Sequence, residues 1–287
     1  MGTALTRSTE FWQIRQKLVM QATELQASLS ARKPQVVLPR ECGANVLVLF
    51  NGIGCFVEAL RRLNFPIGKL YVNDWDDDAQ AVMVDRFPEA DVSSVPRDAE
   101  NITEDDVRAL GVLHVFFASP PCTDLASVKL NKRTGEDHRA GFDGATGRLF
   151  RKTIEVWGWV RKHNPNCKFV VENCVFDDMP DWHEAAAGLG GEPTVMNAIN
   201  YSYTWRKRAY WHNLQLPDGW DAPLVPPGHP DSVLVEGGTM INRSAPTITA
   251  SWLRKGTDAQ PEEWTRCPLK VRTPGGAERF LKAEEAE

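Results

Sequence analysis

From residue 45 to residue 213, short apolar runs of strand length alternate with amphipathic stretches of helix length, and few architectures accommodate that pattern. NVLVLF (45–50) runs into a glycine turn, Asn51-Gly52-Ile53-Gly54, and then the helix-like CFVEALRRL. KLYVN (69–73) precedes a helix from Asp76 to Phe87, and a weaker strand near Val92–Val95 precedes a helix from Thr103 to Leu110. LHVFFA (113–118) is separated by a long loop from a helix over about Arg148–His163. KFVVEN (168–173) leads to a helix near Trp182–Leu189, and VMNAIN and RAYWHN complete the strands. Such alternation predicts an α/β fold, doubly wound around a mostly parallel sheet. Ahead of it, Phe11, Ile14, Leu18, Leu25 and Leu29 predict an amphipathic helix over about 8–31, within an N-terminal extension of residues 1–43. Residues 214–240 are rich in proline and glycine and read as a small irregular lobe.

Composition works by exclusion. With 42% hydrophobic and 25% charged residues, the 287-residue chain is not a mostly disordered one. No apolar run approaches the roughly 18 residues that a membrane helix needs. The N-terminus lacks the apolar core of a signal peptide, so the expected location is the cytoplasm, or the nucleus in a eukaryote. Six cysteines without a Cys-x-x-Cys pair make neither a disulfide scaffold nor a structural zinc site, and no metal is expected. Ten tryptophans are left without an assigned role.

A net charge of -5 excludes a protein that coats DNA through a uniformly basic surface. The charge is nevertheless uneven. Residues 74–106 hold twelve acids against Arg86 and Arg97, whereas residues 129–162 hold nine bases against four acids. Two ligands of different character would produce this division, with phosphate on the basic stretch; so would two solvated faces.

In a doubly wound sheet, ligands bind beyond the carboxyl ends of the strands. The residues found there are Asn51-Gly52, Asp74, Asp98, Ser119-Pro120-Pro121-Cys122 and Glu172-Asn173. Glycines after the first strand let the backbone approach a ligand. Asp74 suits ribose hydroxyls, and without GxGxxG a phosphate-free nucleoside such as S-adenosylmethionine fits better than a dinucleotide. Asp98 either accepts from an adenine amino group or caps a helix. Cys122, displayed after two stiff prolines, is a candidate nucleophile if positive charge or helix amides lower its pKa; buried inert thiols are the competing reading. Cys55, Cys167 and Cys174 read as inert, although Cys174 directly follows the Glu-Asn pair. Glu172 among apolar residues is a candidate proton donor. Arg206 and Arg208 share one face of an extended strand, as a phosphate or carbonyl clamp or as a surface pair.

Taken in order, FNGIG, Asp74, Asp98, SPPC, ENC, RKRAYW and RSAPTIT (243–249) resemble the motif series of the cytosine-C5 DNA methyltransferases over about residues 45–249. ATGRLF (145–150) and RKRAYWHNL are most similar to the animal de novo-type branch and its bacterial and phage relatives. The resemblance implies a seven-stranded Rossmann-like sheet of the S-adenosylmethionine-dependent methyltransferase type, spanning 44–213. It implies S-adenosylmethionine as cofactor, double-stranded DNA as partner and DNA (cytosine-5-)-methyltransferase activity on a flipped base. Cys122 would attack C6, Glu172 would hold N3, Asn173 would support the pocket, and Arg208 with Arg206 would contact the base carbonyl and backbone. The cofactor would lie against Phe50, Asn51, Gly52, Ile53 and Gly54, with Asp74 on the ribose and Trp75 stacked on adenine. Asp98 beside Ala99 would meet the adenine amino group, with Ser119 and Pro121 nearby. Residues 123–146 match the family's mobile catalytic loop, whose Lys129, Lys132, Arg133 and Arg139, with Arg148 after them, would contact the DNA backbone.

Residues 214–240 take the place of a target-recognition region, unusually short, and 241–287 would return to the catalytic domain. Asn51, Thr123, Cys174 and Thr204 stand where the family usually has Asp, Gln, Val and Gln. The family's last motif is missing after FLKAEEAE, which implies a partner subunit, a homodimer or the N-terminal helix in its place. Two rival readings remain at this level: a non-catalytic regulatory relative, and a tRNA cytosine-C5 methyltransferase.

Overall fold

A computed structural model of the chain describes residues 43–127, 134, 136–200, 206–218, 239–240, 270–275 and 278–280. The helix expected over 8–31, Lys129, Lys132, Arg133, RSAPTIT and most of the 214–240 lobe lie outside the described residues. The chain divides into two compact units. The larger comprises Leu38–Met196 and Lys207–Trp220; the other comprises Met1–Val37, Asn197–Arg206 and Asp221–Glu287.

Seven strands form the sheet of the larger unit: β1 (Ala44–Leu49), β2 (Ile67–Asn73), β3 (Ala90–Asp91), β4 (Val115–Ala118), β5 (Lys168–Asn173), β6 (Thr194–Asn197) and β7 (Lys207–His212). Their spatial order is β3-β2-β1-β4-β5-β7-β6. β1, β2, β3, β4 and β5 pair in parallel, and β7 runs antiparallel to β5. This is a doubly wound, Rossmann-like sheet with seven strands, as the sequence resemblance implies. Five helices connect the strands: α1 (Cys55–Arg62), α2 (Asp77–Arg86), α3 (Glu104–Ala109), α4 (Arg148–His163) and α5 (Asp181–Leu189). The third strand forms at Ala90–Asp91 instead of Val92–Val95, because the Asp91 carboxylate turns the chain there by accepting from the N–H groups of Ser93 and Ser94. The VMNAIN run stops being a strand at Asn197 and continues as a single 3-10 turn, Ala198–Asn200.

Alternation along β1 sends successive side chains to opposite faces of the sheet. Val46 and Val48 join Val57 and Leu60 of α1, Leu70, Val72, and Met83 of α2 on one face. Leu47 and Leu49 join Phe116, Phe150, Trp157 and Trp211 on the other, under α3, α4 and α5. All six β1 residues except Asn45 are buried, which is why that strand reads as a continuous apolar run. Local signals set the helix ends. Asp76 caps α2 by accepting from the Ala79 N–H, and Thr103 and Asp106 form a reciprocal capping box at α3. The run Asp76–Asp78 therefore complements a helix N-terminus, and Arg161, Lys162 and His163 sit in the last turn of α4.

The other unit contains a three-stranded antiparallel sheet, with β9 (Lys270–Arg272) between β8 (Thr239–Met240) and β10 (Glu278–Phe280). No helix among the described residues is long and apolar enough to cross a membrane.

Candidate active site

The carboxyl ends of β1 and β2 are laced together. After β1 the backbone enters the left-handed region at Phe50 (φ 54), Gly52 (φ 54) and Gly54 (φ 88). The Gly52 N–H donates to Asp74 Oδ2 at 2.7 Å, and Asp74 Oδ1 accepts from the Asp76 N–H at 3.0 Å. Asn73, 2% exposed, holds the third loop: its Nδ2 donates to the carbonyls of Pro96 at 2.5 Å and Arg97 at 2.8 Å. The residues chosen for the cofactor are thus fixed through Asn73, which the sequence reading passed over. An amide at a strand end, immediately before an acid, was the signal.

This half of the site fits the cofactor inferred from the sequence. Asn51 is buried and its Oδ1 has no hydrogen-bond partner among the described residues. Nothing lies within 4 Å of where a Gly52 Cβ would stand. Trp75, beside Asp74, leaves 78% of its surface exposed, and Ile53 is also exposed. A carboxylate, an unsatisfied amide oxygen and an open aromatic face make a set suited to a nucleoside. Two further residues expected at the cofactor also have structural roles. Asp98 caps the 3-10 turn Ala99–Asn101 by accepting from the Glu100 N–H, and the Ala99 side chain is buried in the core.

Gly54 is held by packing. A Cβ there would lie 2.7 Å from both Met83 Sδ and Phe87 Cε2, and both residues are buried. Gly54→Ala is expected to lower stability by about 2–4 kcal/mol from overpacking and the left-handed φ, against about 1 kcal/mol for Gly52→Ala, as read by urea denaturation. Equal effects at the two positions would contradict this.

The reactive half lies at the ends of β4 and β5. Asn173, 1% exposed, spans them: Nδ2 donates to the Pro120 carbonyl at 2.9 Å and Oδ1 accepts from the Cys174 N–H at 2.9 Å. Opposite, β7 pairs with β5 so that Glu172 faces Tyr210 and Asn173 faces Ala209. Arg208 therefore shares the face of Glu172, and its Nε meets Oε1 at 2.9 Å. Glu172 Oε2 accepts from the Ser119 hydroxyl at 2.6 Å. Glu172 thus has partners on both oxygens, and Ser119, expected at the cofactor, is occupied with Glu172.

Cys122 is half-buried at the start of a turn, its carbonyl accepting from the N–H groups of Leu125 and Ala126. Neighbouring Cys174 and the Arg208 charge lower the Cys122 thiol, against the opposing effects of burial and Glu172. Cys174 is correspondingly pushed up, whereas Cys167 is pushed up to about 12 by burial alone. A lowered thiol carries more thiolate at neutral pH, which favours a nucleophile. Cys174, read from the sequence as inert, is among the groups that act on Cys122.

The loop after Cys122 is anchored at its base. Asp124 Oδ2 accepts from the Thr146 N–H at 2.8 Å, the Thr146 hydroxyl at 2.7 Å and the Gly147 N–H at 3.3 Å. Phe142 is fully buried, and the Arg139 guanidinium, whose side chain is 3% exposed, is gripped by Asp137 and Asp178. The mobile span expected over 123–146 accordingly has its last residues fixed in the core. The basic stretch is also cross-paired: Arg148 with Glu100, Arg151 with Asp143 and Glu184, Lys152 with Glu155, and Lys162 with Glu104. Two of these acids come from the acidic window, so the uneven charge partly neutralises itself. Exposed pairs of this kind contribute about 0–1 kcal/mol each and exchange readily for other anions. Arg206 belongs to the other unit, where its N–H donates to Asn197 Oδ1 at 3.1 Å.

No family model matches the chain. The S. pombe Dnmt2 methyltransferase is 17% identical with a TM-score of 0.47, over 74% of this chain and 65% of that one. A triple mutant of Spodoptera frugiperda DNMT2 is 16% identical with a TM-score of 0.49, over 68% of this chain and 60% of that one. An E. coli prophage protein described as a DNA modification methyltransferase is 14% identical with a TM-score of 0.47, over 68% of this chain and 55% of that one. The chain spans less than two thirds of the length of each.

Proposed function

We propose that the protein transfers a methyl group from S-adenosylmethionine to C5 of a cytosine in double-stranded DNA. One observation carries the reading: Ser119 and Pro120, just before Cys122, are bound by Glu172 and Asn173 at 2.6 and 2.9 Å, so the loop that bears the thiol is fastened at the arginine–glutamate pair. The motif order supports it, including the de novo-type resemblance of ATGRLF and RKRAYWHNL.

The bound cofactor supplies an electrophilic methyl group. Asn51, Gly52, Asp74 and Trp75 would hold its nucleoside and amino-acid parts. The target base is unstacked, because its C5 and C6 edges are inaccessible within the duplex. Cys122 adds to C6 as the thiolate, which raises electron density at C5. Glu172, oriented by Ser119 and Arg208, holds the base at N3, and Arg208 contacts its carbonyl. After methylation, loss of the C5 proton expels Cys122 and restores the aromatic ring. Holding nucleophile and base in line supplies much of the acceleration.

The test is transfer of a labelled methyl group, with cytosine-containing duplex DNA and unmodified tRNA offered in competition. Labelling of the duplex at cytosine C5 is expected. Labelling of tRNA in preference would move the assignment to RNA, and transfer to neither acceptor would reject it.

A further inference from the structure

Arg139 stands in the basic stretch expected to meet DNA, yet its side chain is 3% exposed and its donors are committed elsewhere. Nε donates to the two oxygens of Asp137 at 2.9 and 3.1 Å, and Nη2 donates to Asp137 Oδ2 at 2.7 Å. Nη1 and Nη2 make a second fork onto Asp178, at 2.8 and 2.7 Å. Asp178 lies in the segment that joins the end of β5 to α5. At the start of α5 the loop is held a second time, where Asp181 Oδ1 accepts from the Phe142 N–H at 3.3 Å. Gly141 packs so closely there that a Cβ would collide with the Asp181 carboxylate.

We propose that Arg139 is a positioning residue for the loop after Cys122 and not a DNA contact: its forks to Asp137 and Asp178 dock the returning limb, residues 137–142, on the segment after β5. This deepens the functional reading and rests on it for what the loop does. The chain leaves β4 through Cys122, and the docked limb comes back against the segment that follows Glu172 and Asn173. The clasp therefore ties the loop that bears the nucleophile to the element that bears the base-holding carboxylate. Two carboxylates held by parallel pairs of bonds need a planar guanidinium; an ammonium group keeps the charge but loses the forks. A phosphate contact has the opposite character, being accessible and tolerant of lysine. With two carboxylates to one guanidinium, Arg139 and its partners also carry a net negative charge, which repels phosphate.

The experiment compares the full wild-type chain with Arg139→Gln, Arg139→Lys, Asp178→Asn and the double variant R139Q/D178N, each shown to be folded by thermal melting. Amide hydrogen exchange of the peptide covering 137–142 is followed without DNA or cofactor. The salt dependence of binding to a cytosine-containing duplex is read by fluorescence anisotropy, and kcat and KM are taken for methyl transfer. Every substitution, lysine included, should speed exchange about tenfold or more. The double variant should be no faster than either single one, since all three remove one clasp. The salt slope should keep its wild-type value, while kcat falls about fivefold or more and KM for DNA stays within about twofold. Unchanged exchange in folded variants, or a salt slope reduced by about 0.9 in Arg139→Gln and restored in Arg139→Lys, would overturn the proposal. Faster exchange with an unchanged kcat would also overturn it, leaving a structural tie without a positioning role. Exchange and salt dependence need no methyl transfer, so they judge the clasp separately from the functional assignment, which fails if wild type methylates no acceptor.

Discussion

Cys122→Ala is expected to reduce methyl transfer to duplex DNA by at least about 10³-fold with the fold intact, since removing a nucleophile removes the covalent route altogether. No neighbouring group can take over. Cys174 is pushed up by its neighbour Cys122 and by burial. Cys122→Ser should be almost as inactive, because a hydroxyl in the same place is far harder to ionise. Wild type should form a denaturation-resistant adduct with 5-fluorocytosine DNA, and both variants should fail to. Cofactor binding, measured by equilibrium dialysis, should be unchanged, since Asn51, Gly52 and Asp74 are on the other pair of strands. A variant keeping a tenth of the wild-type rate would falsify the assignment of Cys122. It would also revive the regulatory reading, in which the thiol is incidental.

The largest effect on stability is expected at Trp211. The ring is 1% exposed, with centroids of Trp182, Phe150 and Phe176 at 5.2, 5.4 and 5.9 Å. Its Nε1 has no hydrogen-bond partner among the described residues, so its contribution is apolar packing. Trp211→Ala should therefore cost about 3–5 kcal/mol by urea denaturation, a large share of the roughly 5–15 kcal/mol that holds a domain folded. Trp211→Phe should cost about 1–2 kcal/mol, because only volume is lost. Trp211 also lies on β7, three residues beyond Arg208, so the alanine variant should lose activity at temperatures where it still has a folded sheet. A loss below about 1 kcal/mol for the alanine variant would mean that the aromatic cluster repacks around the gap.

Most strands were legible because β1, β2, β4, β5 and β7 each bury residues against the core, and α2 and α3 carry capping signals. Where the pattern was weak, at residues 90–95, the strand is only two residues long and an Asp-Ser-Ser turn decides its end. The positions of Cys122, Glu172 and Asp74 followed from the rule that ligands meet strand ends, and the structure brings Cys122 and Glu172 to one place. The partners were hidden. Ser119 on Glu172 and Asn173 on Pro120 are contacts between residues about 50 positions apart, which depend on strand order and register. Asp98 shows the opposite difficulty, since one aspartate after a strand serves equally as ligand or cap, and here it caps. Charge windows misled in a similar way: composition cannot show that Glu100 and Glu104 reach across to Arg148 and Lys162.

Asp124 has a further consequence for how this protein can vary. By joining its carboxylate to Thr146 and Gly147 it turns the residues between into a ring closed on a rigid base. The entropy of closing a ring grows only with the logarithm of its length, so ten extra residues between Ala126 and Asp137 would cost a few tenths of a kcal/mol. Removing the clasp itself would unmake three hydrogen bonds to a partly buried carboxylate, each worth about 1 kcal/mol or more. Length in this segment is thus nearly neutral, whereas its two end points are fixed. A polymer held in that way can change what it touches without disturbing the sulfur two residues before Asp124.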